Sequence, residues 1–284
     1  LYTSSVLALE PKTGKLKWHR QEVPNDSWDF DSAYEALMVP DTHGVQSLVH
    51  LNKNGFVYVM NKDNGKLNNV WQYAENVTWT KGVDPKTGLP TEPNYPVRGI
   101  TKNHCPNILG GRSWNHGAYS PDTRLWHSTG MEVCNNVTAA KQEPVTAIGG
   151  LSLGLSDIEL VAPEGKKADG WLGAFDPTTG KQAWKVRFDM PPMSSVLATG
   201  GGLVFVTGMD GKLHAFDQQN GKELWTFNAG SGSRGGPVSY SVNGKQYVAI
   251  PTGLGSAAPA FLTGVFPKIR DIPAGAAMVV FSLD

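Results

Sequence analysis

Short apolar segments that alternate with polar residues, separated by turn residues, run along most of the chain. The segment Ala198–Trp225, ATGGGLVFVTGMDGKLHAFDQQNGKELW, can be read as strands joined by tight turns. No stretch sustains the 3.6-residue period of an amphipathic helix. The pattern therefore predicts an all-β fold with few helices.

One hairpin sequence is repeated along the chain. The clean copies are ALEPKTGKLKW (8–18), AFDPTTGKQAW (174–184) and AFDQQNGKELW (215–225), and VMNKDNGKLNNVW (59–71) is a looser one. In each, a strand ends near an acidic or amide residue, a glycine supplies the positive φ of the turn, and alternation turns the tryptophan inward. A period of roughly 40 residues with four strands is typical of a β-propeller blade.

The number of copies predicts an incomplete ring. About four blades are visible, with an unmatched set of strands at each end, whereas a closed ring around a ligand usually has roughly six to eight blades. We therefore expect residues 1–284 to form one partial propeller domain, the C-terminal half of a larger ring. The alternative is a sandwich with a repeated hairpin, which rarely repeats one turn sequence so closely.

Composition excludes some partners and leaves the cysteines open. Basic and acidic residues balance at 25 each, so neither nucleic acid nor an anionic membrane is indicated. No apolar run approaches the ~20 residues of a membrane-spanning helix. The two cysteines, Cys105 and Cys134, lack metal-binding or haem-attachment spacing, so they are either buried thiols or a disulfide.

Two acidic residues stand among large rings in NDSWDFDSAYE, where Asp29 and Asp31 alternate with Trp28 and Phe30. In an extended segment residues i and i+2 project to the same side. Two close carboxylates repel each other unless a cation lies between them, and a hard cation prefers oxygen ligands. The alternative is a surface Asx-turn.

The repeated motif resembles the tryptophan-docking motif of quinoprotein alcohol dehydrogenases, which are eight-bladed propellers that bind pyrroloquinoline quinone (PQQ) and a metal ion. Further segments resemble this family in the same order. They are LYTSSVLALEPKTGKLKWHRQEVPNDSWDFDS, LNKNGFVYVMNKDNGKL, NHCPNILGGRSWNHGAYSPDT and GSGSRGGPVSYSVNGKQYVAIPTG. The resemblance covers essentially the whole chain and implies the C-terminal half of a methanol/ethanol dehydrogenase.

The resemblance assigns roles to three charged residues. Asp29 matches the family's general base, which takes the hydroxyl proton while hydride passes to PQQ, and it also lies at the metal. Asp31 matches a position that is acidic in lanthanide-dependent relatives, so a lanthanide ion is favoured over Ca²⁺. Lys53 matches the residue that contacts the quinone oxygens. Without the resemblance, Lys53 is a solvated lysine in an Asn-Lys-Asn-Gly turn.

The resemblance also points to a cofactor-facing loop and a disulfide. In GGRSWNHGAYSP, relatives often have Asn at the position of Ser113, so Trp114 and Asn115 are the candidate cofactor contacts. The alternative for Trp114 is a position in a blade core. Cys105 and Cys134 match a structural disulfide of the methanol dehydrogenase group, which favours the bacterial periplasm.

The function implied is oxidation of an alcohol to an aldehyde, with electrons passed to a periplasmic c-type cytochrome on another chain. A homodimer is left open as the assembly. The family's vicinal disulfide, stacking tryptophan, and Glu and Asn metal ligands belong to its N-terminal half, so the fragment alone is expected to be inactive. Two alternatives remain: a non-catalytic propeller scaffold with the same hairpin, and a PQQ sugar dehydrogenase of the membrane-anchored kind.

Overall fold

The computed structural model describes residues 2–40, 46–141 and 154–282, and its regular structure is almost entirely strand. The first eleven strands are β1 (Ser5–Leu9), β2 (Leu16–Gln21), β3 (Ala36–Pro40), β4 (Gln46–Leu51), β5 (Phe56–Asn61), β6 (Leu67–Gln72), β7 (Gly82–Val83), β8 (Pro90–Thr91), β9 (Thr101–His104), β10 (Ala118–Ser120) and β11 (Leu125–Glu132). The others are β12 (Cys134–Ala139), β13 (Leu155–Val161), β14 (Asp169–Phe175), β15 (Gln182–Phe188), β16 (Leu197–Ala198), β17 (Leu203–Thr207), β18 (Lys212–Asp217), β19 (Glu223–Asn228), β20 (Val238–Val242), β21 (Lys245–Thr252) and β22 (Ala277–Ser282).

Helix is scarce, as the alternation predicted. Over the described residues there is one α-helix, α1 (Ala257–Leu262), and one 3₁₀ helix, Pro267–Asp271. Neither has the length and apolar character that a bilayer crossing requires.

The strands form successive antiparallel sheets in the order expected of propeller blades. Three sheets have four strands: β3-β4-β5-β6, β10-β11-β14-β15 and β16-β17-β18-β19. They are preceded by the pair β1-β2 and followed by the three-stranded sheet β20-β21-β22. A three-stranded sheet, β9-β12-β13, and the pair β7-β8 are inserted between them. The prediction of a partial β-propeller is confirmed.

The repeated sequence forms the outer hairpin of four consecutive sheets. The hairpins are β1-β2, β5-β6, β14-β15 and β18-β19. Their turn glycines have φ between 68° and 75°, which explains why glycine recurs there: Gly14, Gly65, Gly180 and Gly221. The acid that ends the strand caps the turn, since Asp176 Oδ1 accepts the N–H groups of Thr178 and Thr179 at 2.8 and 3.0 Å.

The tryptophan of each of the first three hairpins packs on the turn glycine of the next sheet. The pairs are Trp18 on Gly65, Trp71 on Gly180 and Trp184 on Gly221. In every pair the indole N–H donates to a carbonyl oxygen of the same turn, at 3.0–3.1 Å. The apolar ring is therefore buried while its polar group is satisfied, which links one sheet to the next.

The core lies between neighbouring sheets. One buried cluster combines Val49 and Val57 of the β3–β6 sheet with Trp126, Trp171 and Phe175 of the next sheet. This is the layer packing expected of strands that expose one face to each neighbouring blade.

Trp225, the tryptophan of the last repeat, differs from the other three. It packs against Phe281 of β22, with ring centroids 5.2 Å apart, and against Phe227 at 6.0 Å. Its side chain remains 40% exposed.

The two cysteines form a disulfide, as the resemblance implied. Cys105 follows β9, Cys134 begins β12, and their Cα atoms are 4.4 Å apart. The bond closes a loop with a sequence separation of 29 residues. On the chain-entropy model such a loop stabilises the folded state by about 3–4 kcal/mol.

We predict that Gly180→Ala destabilises the protein more than Gly165→Ala does. Both glycines have positive φ, 75° and 67°, so both variants carry the same backbone strain. A Cβ on Gly180 would lie 2.5 Å from Trp71 Cδ2, whereas a Cβ on Gly165 meets nothing within 4 Å. Overpacking should add about 1–3 kcal/mol to the cost of Gly180→Ala, measured by urea denaturation. Equal losses of stability would contradict the docking role of the glycine.

Candidate functional site

Buried rings anchor the acidic segment between β2 and β3. Phe30 is fully buried and Trp28 nearly so, with the Trp28 ring 4.9 Å from both Trp79 and Tyr95. The side chains of Asp29 and Asp31 are 54% and 48% exposed. The buried rings thus anchor the segment, and the acidic residues that alternate with them keep their carboxylates accessible to solvent.

The two carboxylates do not converge for the reason expected from the sequence. The segment is irregular, and Asp29 has φ of +65°, so the assumption of an extended strand is wrong. Aspartate is one of the few residues that tolerate this left-handed conformation. The carboxylates come together because both contact the same lysine.

Lys53 is that lysine, and it lies in the turn between β4 and β5. Its Nζ donates to the Asp29 carbonyl oxygen at 2.9 Å, to Asp29 Oδ2 at 3.3 Å and to Asp31 Oδ1 at 2.5 Å. Only 2% of its side chain is exposed, so the alternative of a solvated turn lysine is wrong. A buried ammonium needs such compensation, because an unpaired one is strongly disfavoured.

A buried polar network holds the turn that carries Lys53. Asn52 donates to Glu22 Oε2 at 2.9 Å and also bonds Ser32 Oγ. His50 Nδ1 lies 2.9 Å from the other oxygen of Glu22. Desolvation lowers the pKa of His50, but the Glu22 carboxylate outweighs it and leaves that pKa above its usual value. The network ties the turn to the acidic segment through Ser32.

Trp114 joins the same cluster from the loop before β10. Its Nε1 donates to Asp31 Oδ2 at 3.2 Å, and Lys53 Nζ lies 5.0 Å from the centre of its ring. The side chain is 52% exposed, so the alternative of a blade-core tryptophan is wrong. Four predicted site residues, Asp29, Asp31, Lys53 and Trp114, therefore lie within one cluster.

Asn115, the fifth predicted contact, points into the protein. It is buried, and its Nδ2 donates to Thr129 Oγ1 at 2.5 Å and to the Ser194 carbonyl oxygen at 3.0 Å. These bonds anchor the loop after Trp114. Direct contact of Asn115 with a cofactor stays a prediction.

Two glycines let the loop lie against the stem of Lys53. A Cβ on Gly110 would lie 2.6 Å from Lys53 Cγ, and Gly110 has φ of +86°. The Gly111 N–H donates to the Lys53 carbonyl oxygen at 3.0 Å. The Gly-Gly pair that precedes Arg112 is thus explained by a close approach of main chain to a side chain.

A buried ion pair, missed in the sequence analysis, joins the acidic segment to the Trp114 loop. Arg112 Nη1 and Nη2 donate to the two oxygens of Glu35 at 3.0 and 2.6 Å. Glu35 also accepts from the Gly117 N–H at 2.9 Å and from Trp126 Nε1 at 3.2 Å. Charged residues inside the apolar contexts SAYEAL and GGRSW were the available clue.

The environment shifts two carboxyl pKa values in opposite directions. Desolvation opposes ionisation of Glu35, but Arg112 and the hydrogen bonds from His116 and Arg112 outweigh it, and the pKa lies far below its usual range. Desolvation raises the pKa of Asp29, with Lys53 opposing the rise and Asp31 adding to it. Glu35 is thus a fixed anion, whereas Asp29 is the better proton acceptor.

The residues present fit part of a metal and quinone site. Asp29 and Asp31 offer hard oxygen ligands, and Lys53 and Trp114 offer a charged donor and an open ring face. Across the described ranges, no group of three or more His, Cys, Asp or Glu side chains could hold a metal ion. The described residues therefore offer two candidate carboxylate ligands.

A cavity of about 310 Å³ borders Asp29. Its apolar lining includes Trp28, Pro106, Ile108 and Val137. Polar side chains, among them His104 and Asn135, line the rest of it. The arrangement places a proton acceptor at the edge of a recess with both apolar and polar walls.

Two different family models match two separate parts of the chain. Residues 1–102 match a model described as the glucose/ethanol/alcohol dehydrogenase β-propeller domain. Residues 168–249 match a model described as outer membrane protein assembly factor BamB. The first match contains Asp29, Asp31 and Lys53.

Curated relatives match the chain over its whole length. It is 35% identical to quinoprotein alcohol dehydrogenase PedE of Pseudomonas putida, an alignment that covers 100% of this chain and 46% of the relative. It is 33% identical to a quinoprotein ethanol dehydrogenase of Pseudomonas aeruginosa, covering 100% and 47%. The chain thus spans about half the length of these relatives.

Solved structures show the same similarity. A europium-containing methanol dehydrogenase superposes with a TM-score of 0.88 at 29% identity, covering 99% of this chain and 53% of that one. The quinohemoprotein alcohol dehydrogenase ADHIIG of Pseudomonas putida HK5 superposes with a TM-score of 0.89 at 29% identity, covering 99% and 43%.

We predict that Glu35→Gln lowers the free energy of unfolding at pH 7 by about 3 kcal/mol or more, because Arg112 is left buried without a counter-charge. Glu159→Gln, which changes an exposed side chain on β13, is the matched control. Urea denaturation followed by tryptophan fluorescence measures both. A loss no larger than that of the control would show that the ion pair contributes nothing.

The effect of Glu35→Gln should also depend on pH. The pKa of Glu35 is lower in the folded protein than its ordinary value of 4.5, so its contribution is complete above that value and is lost as pH falls toward the folded pKa. The stability difference between wild type and Glu35→Gln should therefore shrink below pH 4.5. A constant difference from pH 7 down to acid would contradict this prediction.

Proposed function

Since the chain belongs to the family of quinoprotein alcohol dehydrogenases, we propose that it carries the catalytic base of an enzyme that oxidises an alcohol to an aldehyde with PQQ and a metal ion. The observation that carries the proposal is the buried Lys53 ammonium between the Asp29 and Asp31 carboxylates. A purely structural turn has no need of a buried lysine beside two accessible acids.

Asp29 takes the hydroxyl proton of the alcohol. A carboxylate is an effective proton acceptor, and about half of the Asp29 side chain is accessible to a substrate. The bond from Lys53 to its main-chain oxygen fixes the segment, so that the carboxylate is held in one orientation.

Lys53, Trp114 and the acid pair hold the cofactors. Bound PQQ supplies the hydride acceptor, and the metal ion supplies Lewis acidity. Lys53 would donate hydrogen bonds to the quinone oxygens, and the exposed ring of Trp114 would pack against the cofactor. Asp29 and Asp31 supply two carboxylate ligands, and the rest of the ligand set comes from other parts of the polypeptide. The charge added by Asp31 favours a trivalent lanthanide ion over Ca²⁺.

The cavity beside Asp29 accommodates the rest of the alcohol. The apolar part of its lining, with Ile108 and Val137, suits a hydrocarbon chain, and its volume of about 310 Å³ leaves room for more than methanol. The relatives whose names specify an alcohol include ethanol dehydrogenases, which fits this expectation.

The complete reaction belongs to the full-length polypeptide. The relatives are about twice as long as this chain, and its described residues offer only two candidate metal ligands, so residues 1–284 alone should not turn over substrate. We further propose a periplasmic location, electron transfer to a c-type cytochrome, and a homodimer as an assembly to test. The disulfide Cys105–Cys134 supports an oxidising compartment.

A non-catalytic scaffold is the second candidate, because residues 168–249 match the assembly-factor model. That match covers the repeated hairpins at 174–184 and 215–225 but not the acid pair or Lys53. The hairpin is common to both classes of protein, whereas the cluster around Lys53 favours the enzyme. A membrane-anchored PQQ sugar dehydrogenase is the third candidate, because the description of the model that matches residues 1–102 includes glucose dehydrogenase. Its substrate would distinguish it from an alcohol dehydrogenase.

We predict that Asp29→Asn in the full-length protein lowers dye-linked alcohol oxidation by about 10²–10⁴-fold while PQQ content stays unchanged. Asparagine tolerates the same left-handed backbone, so the fold should be kept. Asp122→Asn, an exposed acid after β10, is the matched control and should keep full activity. Unchanged turnover in Asp29→Asn would remove the enzymatic proposal and leave the scaffold.

A further inference from the structure

The Lys53 ammonium already lies where the two carboxylates of the acid pair meet. An ammonium has three N–H donors, and the three contacts of Nζ account for all of them. Two contacts are to carboxylate oxygens, one on Asp29 and one on Asp31, and the third is to a main-chain carbonyl. The positive charge that the acid pair needs is therefore supplied by the chain itself.

We infer that Lys53 is a resident counter-ion that competes with the metal ion for Asp31. The inference rests on the proposed function, in which Asp31 is a metal ligand. Oδ1 of Asp31 is held by Lys53 and Oδ2 by Trp114 Nε1, so both oxygens of this carboxylate are engaged by the chain's own donors. A cation that binds Asp31 must take at least Oδ1 from the ammonium.

Lys53 can release Asp31 without leaving the site. Its stem is held under Gly110, and its carbonyl accepts the Gly111 N–H, so the main movement open to it is rotation at the end of the side chain. The bond to the Asp29 carbonyl oxygen does not involve a carboxylate and can persist. The exchange thus replaces one cation by another at Asp31 while the lysine stays anchored.

This exchange couples the metal to any ligand that Lys53 binds. When a cation takes the carboxylates, up to two N–H donors of Lys53 become free for another acceptor, such as a quinone oxygen. Cation binding and acceptor binding then favour each other by the same factor, since linkage is reciprocal. Lys53 thus weakens binding of the cation by competing for Asp31, and it also couples binding of the cation to binding of the acceptor.

The test is a terbium titration of the full-length protein prepared without PQQ. Tb³⁺ bound at Asp31 lies beside the indole of Trp114, so tryptophan excitation sensitises its luminescence. We expect Lys53→Met to bind Tb³⁺ at least about tenfold more tightly than wild type, because a competing positive charge is removed from contact distance. Lys62→Met removes a lysine from the surface pair with Asp63 and should leave the affinity unchanged.

The outcomes separate this inference from the proposal on which it rests. Asp31→Asn should weaken Tb³⁺ binding, and if it does not, both the metal role of Asp31 and the competition are wrong. If Asp31→Asn weakens binding but Lys53→Met binds Tb³⁺ no more tightly than wild type, only the competition is wrong. Lys53→Gln also removes the charge, and must give the same direction as Lys53→Met if the latter loses its circular dichroism spectrum.

Discussion

The packing of three hairpin tryptophans, each on a turn glycine of the next sheet, is the constraint on which the rest of the structure depends. A ring can lie flat on the turn only where the turn has no Cβ, and its N–H finds a partner only if the turn carbonyl faces it. These two requirements fix the distance and direction from one sheet to the next. The candidate site is built from loops between the sheets, so its geometry follows from the same spacing.

Two buried cations and their acidic partners hold the loops of the candidate site in position between the sheets. Lys53 belongs to a turn of one sheet and Arg112 to a loop that leads into the next, and each is nearly inaccessible. Their carboxylate partners all lie in the single segment between β2 and β3. An ion pair removed from water tolerates little displacement. The segment is therefore held at its middle by Lys53 and at its C-terminal end by Arg112.

Most of the fold could be predicted from the sequence because each hairpin is specified by residues that are close together in the chain. The hairpins, their positive-φ glycines and the inward tryptophans follow from one eleven-residue motif with a plain physical reading. The nearness of Asp29, Asp31 and Lys53 was expected through family resemblance. The pair of Glu35 and Arg112 was not, because its members are 77 residues apart and no periodicity connects them. The left-handed turn at Asp29 also escaped prediction, since alternation of rings and acids is equally consistent with a strand.

The backbone at Asp29 narrows the replacements that this position can accept. Side chains branched at Cβ clash in the left-handed region. Asp and Asn are tolerated there because their short polar side chains can form hydrogen bonds with the nearby main chain. The left-handed backbone costs least for Gly, Asn and Asp, and of these three only Asp is an acid. Glutamate, the nearest chemical substitute, carries its carboxylate one methylene farther from the main chain. The same backbone would therefore hold the carboxylate of a glutamate at a different place beside Lys53.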